Sequence, residues 1–256
     1  MKVISLQSGS NGNAIYVETA GVRLLFDAGI SGKQAQSRLA QHGIDIHAID
    51  ALIISHEHVD HVAKAGVYHR KFGHAIHITP HTLLNATMKF DLGEISRVTH
   101  FHAGDSFSPK GHDHVRIHAI PTQHDCVDGT CFVIEADGKR LGLFTDLGHA
   151  FAELSVIIPT LDACIIESNF DPEMLERSGY PIHTQRRIAG PRGHLSNFEA
   201  AELITDHGED LQWVMLAHLS GNNNTPGLAE MTHRDHHGVP IHVASRERVG
   251  DCIPIV

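Results

Sequence analysis

Residues 55–61 read SHEHVDH, which places three histidines and an aspartate close together in the chain. Side chains two residues apart in an extended segment point to the same side, so His56 and His58 can bind one metal ion together. Asp60 and His61 follow a turn, at the start of a helix predicted from Asp60 to about Tyr68, and can hold a second ion. Imidazole and carboxylate ligands suit zinc, manganese or iron, and the stretch contains no cysteine for a softer metal.

The alternative interpretation of this stretch is a solvated loop in a chain that contains 24 histidines. Such abundance produces His-x-His pairs by chance, but it does not place an aspartate in register or a strand directly before the motif. Residues 51–54 form a short apolar run, which is typical of a strand buried on both faces. Ligand sites of layered α/β proteins gather at strand ends, so we predict a metal site here.

Length and composition are those of an ordinary globular protein. The 256 residues suffice for one large domain or two small ones, and 41% are hydrophobic and 20% charged. No apolar run is long enough to cross a bilayer, and Lys2–Leu6 leads into a polar turn rather than a signal-peptide core. The four cysteines form no CxxC pair, so we expect free thiols in a reducing cytoplasm and no membrane partner.

The formal net charge is −10 with the histidines neutral. Nucleic-acid binding draws on clustered lysine and arginine, so this charge argues against a protein coated with nucleic acid. The charge leaves room for a small basic cleft, and a bound pair of divalent cations would offset it locally.

Apolar runs and alternation predict the strands, and helical spacing with capping residues predicts the helices. The predicted strands span residues 2–6, 13–19, 23–27, 51–54, 75–79, 115–120, 130–136, 140–145, 163–166, 213–217 and 241–244. The predicted helices span residues 31–41, 60–68, 80–89 and 197–207, and another begins near Thr225.

Four polar side chains, His124, Asp146, His194 and His218, stand at predicted strand ends. A two-metal site needs about this many further ligands, because two neighbouring cations can share one carboxylate and one water-derived hydroxide. The alternative for Asp146 is a turn or helix-cap residue, and the alternative for His124 is a surface histidine. Four nearby histidines compete for the role of His124, namely His102, His112, His114 and His118.

The motif at 56–61 and the polar residues at these strand ends, taken in order, resemble the ligand pattern of the metallo-β-lactamase fold superfamily. The resemblance covers nearly the whole chain. It implies an α/β fold, a four-layer αβ/βα sandwich formed as one domain over residues 1–256. It also implies two divalent metal ions. These would be zinc, with manganese or iron as the alternatives.

The resemblance further implies a role for each predicted ligand. The first metal would be bound by His56, His58 and His124. The second metal would be bound by Asp60, His61 and His218. Asp146 would bridge the two ions, and Asp27, at the end of a strand, would lie behind the ligands and orient a metal-bound histidine.

Four short motifs narrow the resemblance to the YycJ-like branch, whose members are described as 5′–3′ DNA exonucleases. They are SGSNGN at 8–13, ESNFD at 167–171, GHLSN at 193–197 and HLSGNN at 218–223. The layout is also similar to the cyclic-ribose phosphodiesterase of the carbon–phosphorus lyase pathway. Phe170 departs from the pattern, because many relatives have a histidine there, so no role is carried over to this position.

The function predicted on this basis is metal-dependent phosphodiester hydrolysis, with nucleic acid or a small phosphodiester as substrate. The metal pair would lower the pKa of a bridging water to give a hydroxide and would clamp a phosphate oxygen. The catalytic residues would be Asp60 and His194. Asp60 would orient the hydroxide, and Asp146 is the alternative for that role. By resemblance His194 would contact the phosphate or protonate the leaving oxygen, and its alternative is a structural histidine beside a helix.

A local excess of arginine precedes His194, at Arg186, Arg187 and Arg192, in a chain that is acidic overall. Arginine forks match phosphate oxygens, although a solvated basic loop is the ordinary alternative. Gly190 and Gly193 suggest that this loop moves. The predicted substrate-binding residues are Arg192, Ser196, Asn197, Ser220 and Asn222.

Two other functions use the same residues. A glyoxalase-like hydrolase of thioesters, or of small cyclic phosphodiesters, would need the same metal ligands, since fold does not fix function. A metal-binding protein without catalysis is disfavoured because the ligand set is complete.

Overall fold

The structure, a computed structural model, describes residues 1–256 and contains fourteen strands. In chain order they are β1 (Lys2–Gln7), β2 (Ala14–Thr19), β3 (Val22–Phe26), β4 (Ala51–Ile53), β5 (Ile76–Ile78), β6 (Val98–His100), β7 (Ser106–Phe107), β8 (Arg116–Pro121), β9 (Thr130–Ala136), β10 (Lys139–Phe144), β11 (Ala163–Glu167), β12 (Trp213–Ala217), β13 (Ile241–Val243) and β14 (Ile253–Pro254). The predicted hairpin around residues 137–138 is confirmed as the turn between β9 and β10.

The strands form two seven-stranded sheets, in the orders β14-β1-β2-β3-β4-β5-β6 and β13-β12-β11-β10-β9-β8-β7. In the first sheet β1 to β3 are antiparallel, and β3 to β6 run parallel. In the second sheet β7 to β10 are antiparallel, and β10 to β13 run parallel. Each sheet therefore has parallel strands whose carboxyl ends can present loops to a shared site.

The structure contains nine α-helices. They are α1 (Gly32–Ala40), α2 (Val59–Val62), α3 (Ala65–Phe72), α4 (Pro80–Lys89), α5 (Ala152–Ile157), α6 (Pro172–Glu176), α7 (Ile182–Ile188), α8 (Asn197–His207) and α9 (Pro226–His236). Capping boxes begin α1 at Ser31 and α8 at Ser196, where each serine accepts from the third helical residue. No helix is both long and apolar enough to cross a membrane.

The hydrophobic core has three parts, which define the layers. One cluster lies between the sheets and combines β1 to β4 residues with residues of β8 to β12. A second packs the first sheet against α1, α3 and α4. The third packs the second sheet against α5, α8 and α9. The predicted four-layer αβ/βα sandwich is confirmed.

The helix predicted from Asp60 to Tyr68 is wrong, because two helices occupy this stretch. α2 and α3 are separated at Lys64, which has non-helical backbone angles of φ −108° and ψ 2°. Tertiary hydrogen bonds cause the break. The Ala28 N–H donates to the His61 carbonyl at 2.7 Å, and the Lys64 N–H donates to the Ala28 carbonyl at 3.0 Å.

Gly29 makes this close approach possible. A Cβ atom on Gly29 would lie 1.7 Å from the carbonyl oxygen of Asp60, so any other residue would push α2 away from the end of β3. The prediction of a mobile basic loop also needs correction. Arg186 and Arg187 lie within helix α7, and only Arg192 lies in the loop that follows.

Three predicted site residues have left-handed backbones within two residues of the end of a strand. Asp27 follows β3 with φ 64°, Asp146 follows β10 with φ 53°, and His218 follows β12 with φ 55°. Left-handed geometry costs roughly 1–2 kcal/mol for a residue other than glycine. Such strain is retained where the surrounding structure requires a sharp turn, and here it turns each side chain inward.

Candidate metal centre

The side chains predicted as metal ligands converge at one edge of the sandwich. Donor atoms form four overlapping groups, and within each group the atoms lie within 4.8 Å of one another. Two of these groups are the predicted triads, and the other two contain Asp146. The first triad is His56, His58 and His124, and the second triad is Asp60, His61 and His218. None of the four histidines that compete with His124 in the sequence joins either triad.

Asp146 lies between the two triads. Its Oδ2 atom is 3.1 Å from His61 Nε2, and its Oδ1 atom is 3.5 Å from His218 Nδ1. Oδ1 is also 3.6 Å from His124 Nε2, in the first triad. One carboxylate is therefore within reach of both groups, as a bridging ligand requires.

Asp27 lies behind the second triad and holds it in place. His61 Nδ1 donates to Asp27 Oδ2 at 2.7 Å, which turns His61 Nε2 toward the centre. The other Asp27 oxygen accepts from the Ser55 N–H at 2.9 Å. A carboxylate behind a histidine fixes the ring orientation and makes the facing nitrogen a better ligand.

Among the predicted ligand atoms, the buried His56 Nε2 has no hydrogen-bond partner. A buried polar group left unpaired costs about 1–3 kcal/mol, so such atoms call for a ligand. Burial lowers the pKa of His56 well below its ordinary value, with the His61 ring adding to the effect, and this leaves a free lone pair. Neutral imidazoles and carboxylates suit zinc, manganese or iron, so the donor set fits divalent metal ions.

The carboxylates around the second triad favour positive charge there. Burial by itself lowers the pKa of His61, but Asp27, Asp146 and Asp60 outweigh it and hold that pKa well above its ordinary value. Burial likewise opposes protonation of His218, yet the carboxylates, Asp146 first, raise its pKa to about 10. A divalent cation bound to neutral imidazoles would supply the same charge, because metal and proton compete for the ring nitrogens.

His194 lines the same cavity and is held by Glu167, for which no functional role was predicted. His194 Nδ1 donates to Glu167 Oε1 at 2.6 Å. Burial would raise the pKa of the fully buried Glu167, but His194 outweighs it and the pKa falls to about 2, so the carboxylate stays charged. The pair fixes the His194 ring with Nε2 available for a substrate.

A close backbone contact places His194 beside the first triad. A Cβ on Gly193 would lie 2.1 Å from the Ile188 carbonyl oxygen, so the turn before α8 can pack against α7 only with glycine there. The Gly193 carbonyl then accepts from His124 Nδ1 at 2.8 Å.

The predicted substrate-binding residues are distributed unevenly. Ser220 lines the cavity, whereas Ser196 and Asn197 do not. Ser196 caps α8, and buried Asn197 bonds to Ser168 and Asn224 below the site. The positions of Ser196 and Asn197 therefore do not support the prediction that they contact the substrate.

Asn222 and Arg192 also lie outside the cavity lining. The Asn222 amide donates to the hydroxyl oxygen of Tyr180 at 2.6 Å, so Asn222 supports a lining residue. Arg192 is exposed, and its backbone carbonyl accepts from the Asp125 N–H at 3.0 Å. Arg187, rather than Arg192, is the arginine that lines the cavity.

Sequence reasoning missed further polar residues at the centre. Glu167 ends β11 and begins the ESNFD motif at 167–171, and both its strand-end position and that motif were signals for it. Asn13 Nδ2 lies 3.0 Å from His61 Nε2 and donates to Asp60 Oδ2 at 3.4 Å. These contacts join residues far apart in the chain, so local pattern cannot predict them.

Comparison with known proteins confirms the resemblance. Residues 8–175 match the family model of the metallo-beta-lactamase superfamily. The chain is 34% identical over 228 residues to exodeoxyribonuclease WalJ of Streptococcus pneumoniae serotype 2 (strain D39), covering 89% of this chain and 84% of that protein. It is 33% identical over 233 residues to exodeoxyribonuclease YycJ of Bacillus anthracis, covering 89% of this chain and 85% of that protein.

A solved structure also has the metallo-beta-lactamase fold. The metallo-beta-lactamase fold protein YhfI from Bacillus subtilis superposes with a TM-score of 0.73 at 16% identity, covering 98% of this chain and 99% of that one. The family match, the two exodeoxyribonuclease relatives and the paired triads agree. This chain belongs to the metallo-beta-lactamase superfamily, in the branch that contains the WalJ and YycJ exodeoxyribonucleases.

Proposed function

We propose that this protein is a metal-dependent phosphodiesterase that degrades nucleic acid from a strand end, as a 5′–3′ exonuclease. It uses two divalent ions, zinc or alternatively manganese or iron. The observation that carries the proposal is the pair of triads joined by Asp146, beside a His194 that is fixed on buried Glu167. Four free cysteines agree with work in the reducing cytoplasm.

The residues of the site divide the chemistry among them. His56, His58 and His124 would hold one ion, Asp60, His61 and His218 the other, and Asp146 both. When bound, such ions make a water oxygen more acidic and neutralise charge on the phosphate. In the reaction the water oxygen bonds to phosphorus and the bond from phosphorus to the leaving oxygen breaks.

His194 and Asp60 have the two proton-handling roles. His194 Nε2 would give its proton to the leaving oxygen, because Nδ1 is committed to Glu167. Asp60 would accept a hydrogen bond from the attacking water and orient it. Asp60 suits this role because burial, which raises its pKa, is outweighed by His61 and His218, so its carboxylate remains charged.

The relatives support nucleic acid as the substrate class. Two bacterial proteins that match most of this chain, WalJ and YycJ, are named exodeoxyribonucleases. They do not favour the thioester hydrolase that the metal ligands alone would also permit.

The test is a time course with manganese on a duplex DNA that has a 5′-phosphate and a label at either end. We expect early release of the 5′ label as mononucleotide and gradual shortening of the 3′-labelled strand. A thioester and bis-p-nitrophenyl phosphate are run beside the DNA. Turnover of the thioester alone would reject the phosphodiesterase proposal, and cleavage of the small diester without DNA cleavage would reject the nuclease.

A further inference from the structure

The cavity above the triads has one cation and one aromatic ring from each half of the molecule. Lys89 and Phe90 come from the end of α4, on the first-sheet half. Tyr180 and Arg187 come from the segment between β11 and α8, on the second-sheet half. No other lysine, arginine, phenylalanine, tyrosine or tryptophan lines this cavity.

Lys89 is tethered beside the first triad. Its ammonium lies 3.1 Å from Glu57 Oε1, and the other Glu57 oxygen accepts from the Val127 N–H at 3.1 Å. Glu57 is 1% exposed and stands between His56 and His58 in the chain. The Lys89 side chain is still 48% exposed, so its ammonium has donors free for a ligand at a fixed distance from the triad.

Arg187 is tethered in the same way on the other side. Its Nε donates to Asp125 Oδ2 at 2.7 Å, and Asp125 follows His124 directly. The Arg187 side chain is 63% exposed, and its terminal N–H groups remain available. Each cation is therefore fixed by an acid that is a chain neighbour of a first-triad histidine.

The two rings are also held in place. Phe90 is partly buried and packs against the core between the first sheet and its helices. The Tyr180 hydroxyl oxygen accepts from the Asn222 amide at 2.6 Å. Aromatic faces stack on nucleobases without regard to base identity, and cations beside them follow the phosphate backbone.

We infer that the two pairs are nucleotide subsites on either side of the phosphate that is cut. Lys89 with Phe90 holds one nucleotide, and Tyr180 with Arg187 holds its neighbour. The inference rests on the proposed function and specifies its substrate as an unpaired strand end, because a base must leave the duplex to stack on protein rings. The cavity, at about 740 Å³, is the size of a small-ligand pocket rather than a duplex groove.

The experiment removes either an aromatic ring of the protein, at Phe90 or Tyr180, or a base of the oligonucleotide substrate. Single-stranded oligonucleotides are made with an abasic residue at the first or the second position from the cleaved end, and kcat/KM is measured with manganese. Each missing base should lower kcat/KM of the natural protein by about 5- to 150-fold, the range for one base–aromatic stack. Phe90→Leu should lose the sensitivity to one position, and Tyr180→Leu the sensitivity to the other.

The variants have built-in controls. Phe90→Leu keeps the buried part of the side chain apolar, so the fold is retained, and circular dichroism with metal content checks this. Tyr180→Phe keeps the ring and should retain the response to the missing base. Phe198→Ala removes an exposed ring that does not line the cavity and should leave both responses as in the natural protein.

The outcomes separate this inference from the proposed function. If the natural protein cuts oligonucleotides but each variant stays as sensitive to both missing bases as the natural protein, the subsites are wrong and the nuclease stands. If the natural protein degrades duplex DNA but cuts no single-stranded oligonucleotide, the subsites are wrong and the nuclease stands; if it cuts neither, the proposed function and the subsites both fail. The subsites are supported if each variant no longer responds to the missing base at one position but still responds to the missing base at the other.

Discussion

His194 illustrates how a single residue acquires a role that its sequence position does not give it. The turn before α8 presents it, Gly193 allows the close packing, and Glu167 holds Nδ1 at 2.6 Å. The sequence left this histidine open between a structural role and a catalytic one. Its buried partner commits one ring nitrogen, and the residue lines the cavity above the triads, which is the geometry that a catalytic role would need.

His194→Ala should lower kcat on DNA by about 100- to 10,000-fold, the usual contribution of a general acid. The loss should shrink for bis-p-nitrophenyl phosphate, because p-nitrophenolate leaves almost without a proton. Steady-state kinetics on both substrates, with elemental analysis of the variant, measures this. Equal losses on the two substrates would mean that His194 is no proton donor. Glu167→Gln is the companion variant that weakens the tether, and its metal content is measured too, because Glu167 Oε1 also lies 3.3 Å from His218 Nδ1.

Asp146→Ala should disturb both metal positions, because its oxygens reach both triads. The loss of metal affinity should exceed the roughly 10- to 100-fold that removal of an outer partner costs. Asp27→Asn, which alters such a partner of His61, is the matched comparison. Competition with a chromogenic chelator gives both affinities, and an Asp146→Ala protein that keeps two tightly held ions would refute the bridge.

At the scale of elements, strands were more predictable than the helices near the site. Continuous apolar runs identified β4, β11 and β12, because parallel strands are buried on both faces. The break between α2 and α3 was not predictable, because it depends on hydrogen bonds to Ala28, distant in the chain. The helix α7 was also missed, because its basic residues have no apolar periodicity.

Arg186 and Arg187 are equivalent in the sequence, but helix α7 places only Arg187 at the cavity. Successive helical residues point about 100° apart, and only Arg187 lines the cavity, while Arg186 is exposed outside it. Arg187→Ala should weaken binding of single-stranded DNA and lower the slope of log affinity against log salt by about 0.7. Arg186→Ala is the control, and fluorescence anisotropy over a salt series distinguishes them; equal slopes for both variants would contradict the assignment.

At the scale of the whole molecule, the site exists because two sheets meet at one edge. The first sheet supplies His56, His58, Asp60 and His61 from the turn after β4, and the second sheet supplies the remaining ligands from loops at its own strand ends. Sequence order and strand ends were enough to predict which side chains converge here, and the role of each as a ligand stays a prediction. The residues that support the ligands, such as Glu167 and Asn13, became evident only from the packed structure.

The most direct test of the account is a metal titration of exonuclease activity. Protein freed of metal by a chelator is titrated with manganese or zinc, and the rate of 5′-nucleotide release is recorded against ions bound per chain. The paired triads predict no activity without metal and a plateau at two ions. Full nucleotide release by the metal-free protein, or a rate unaffected by His58→Ala, would contradict a catalytic metal centre at these residues.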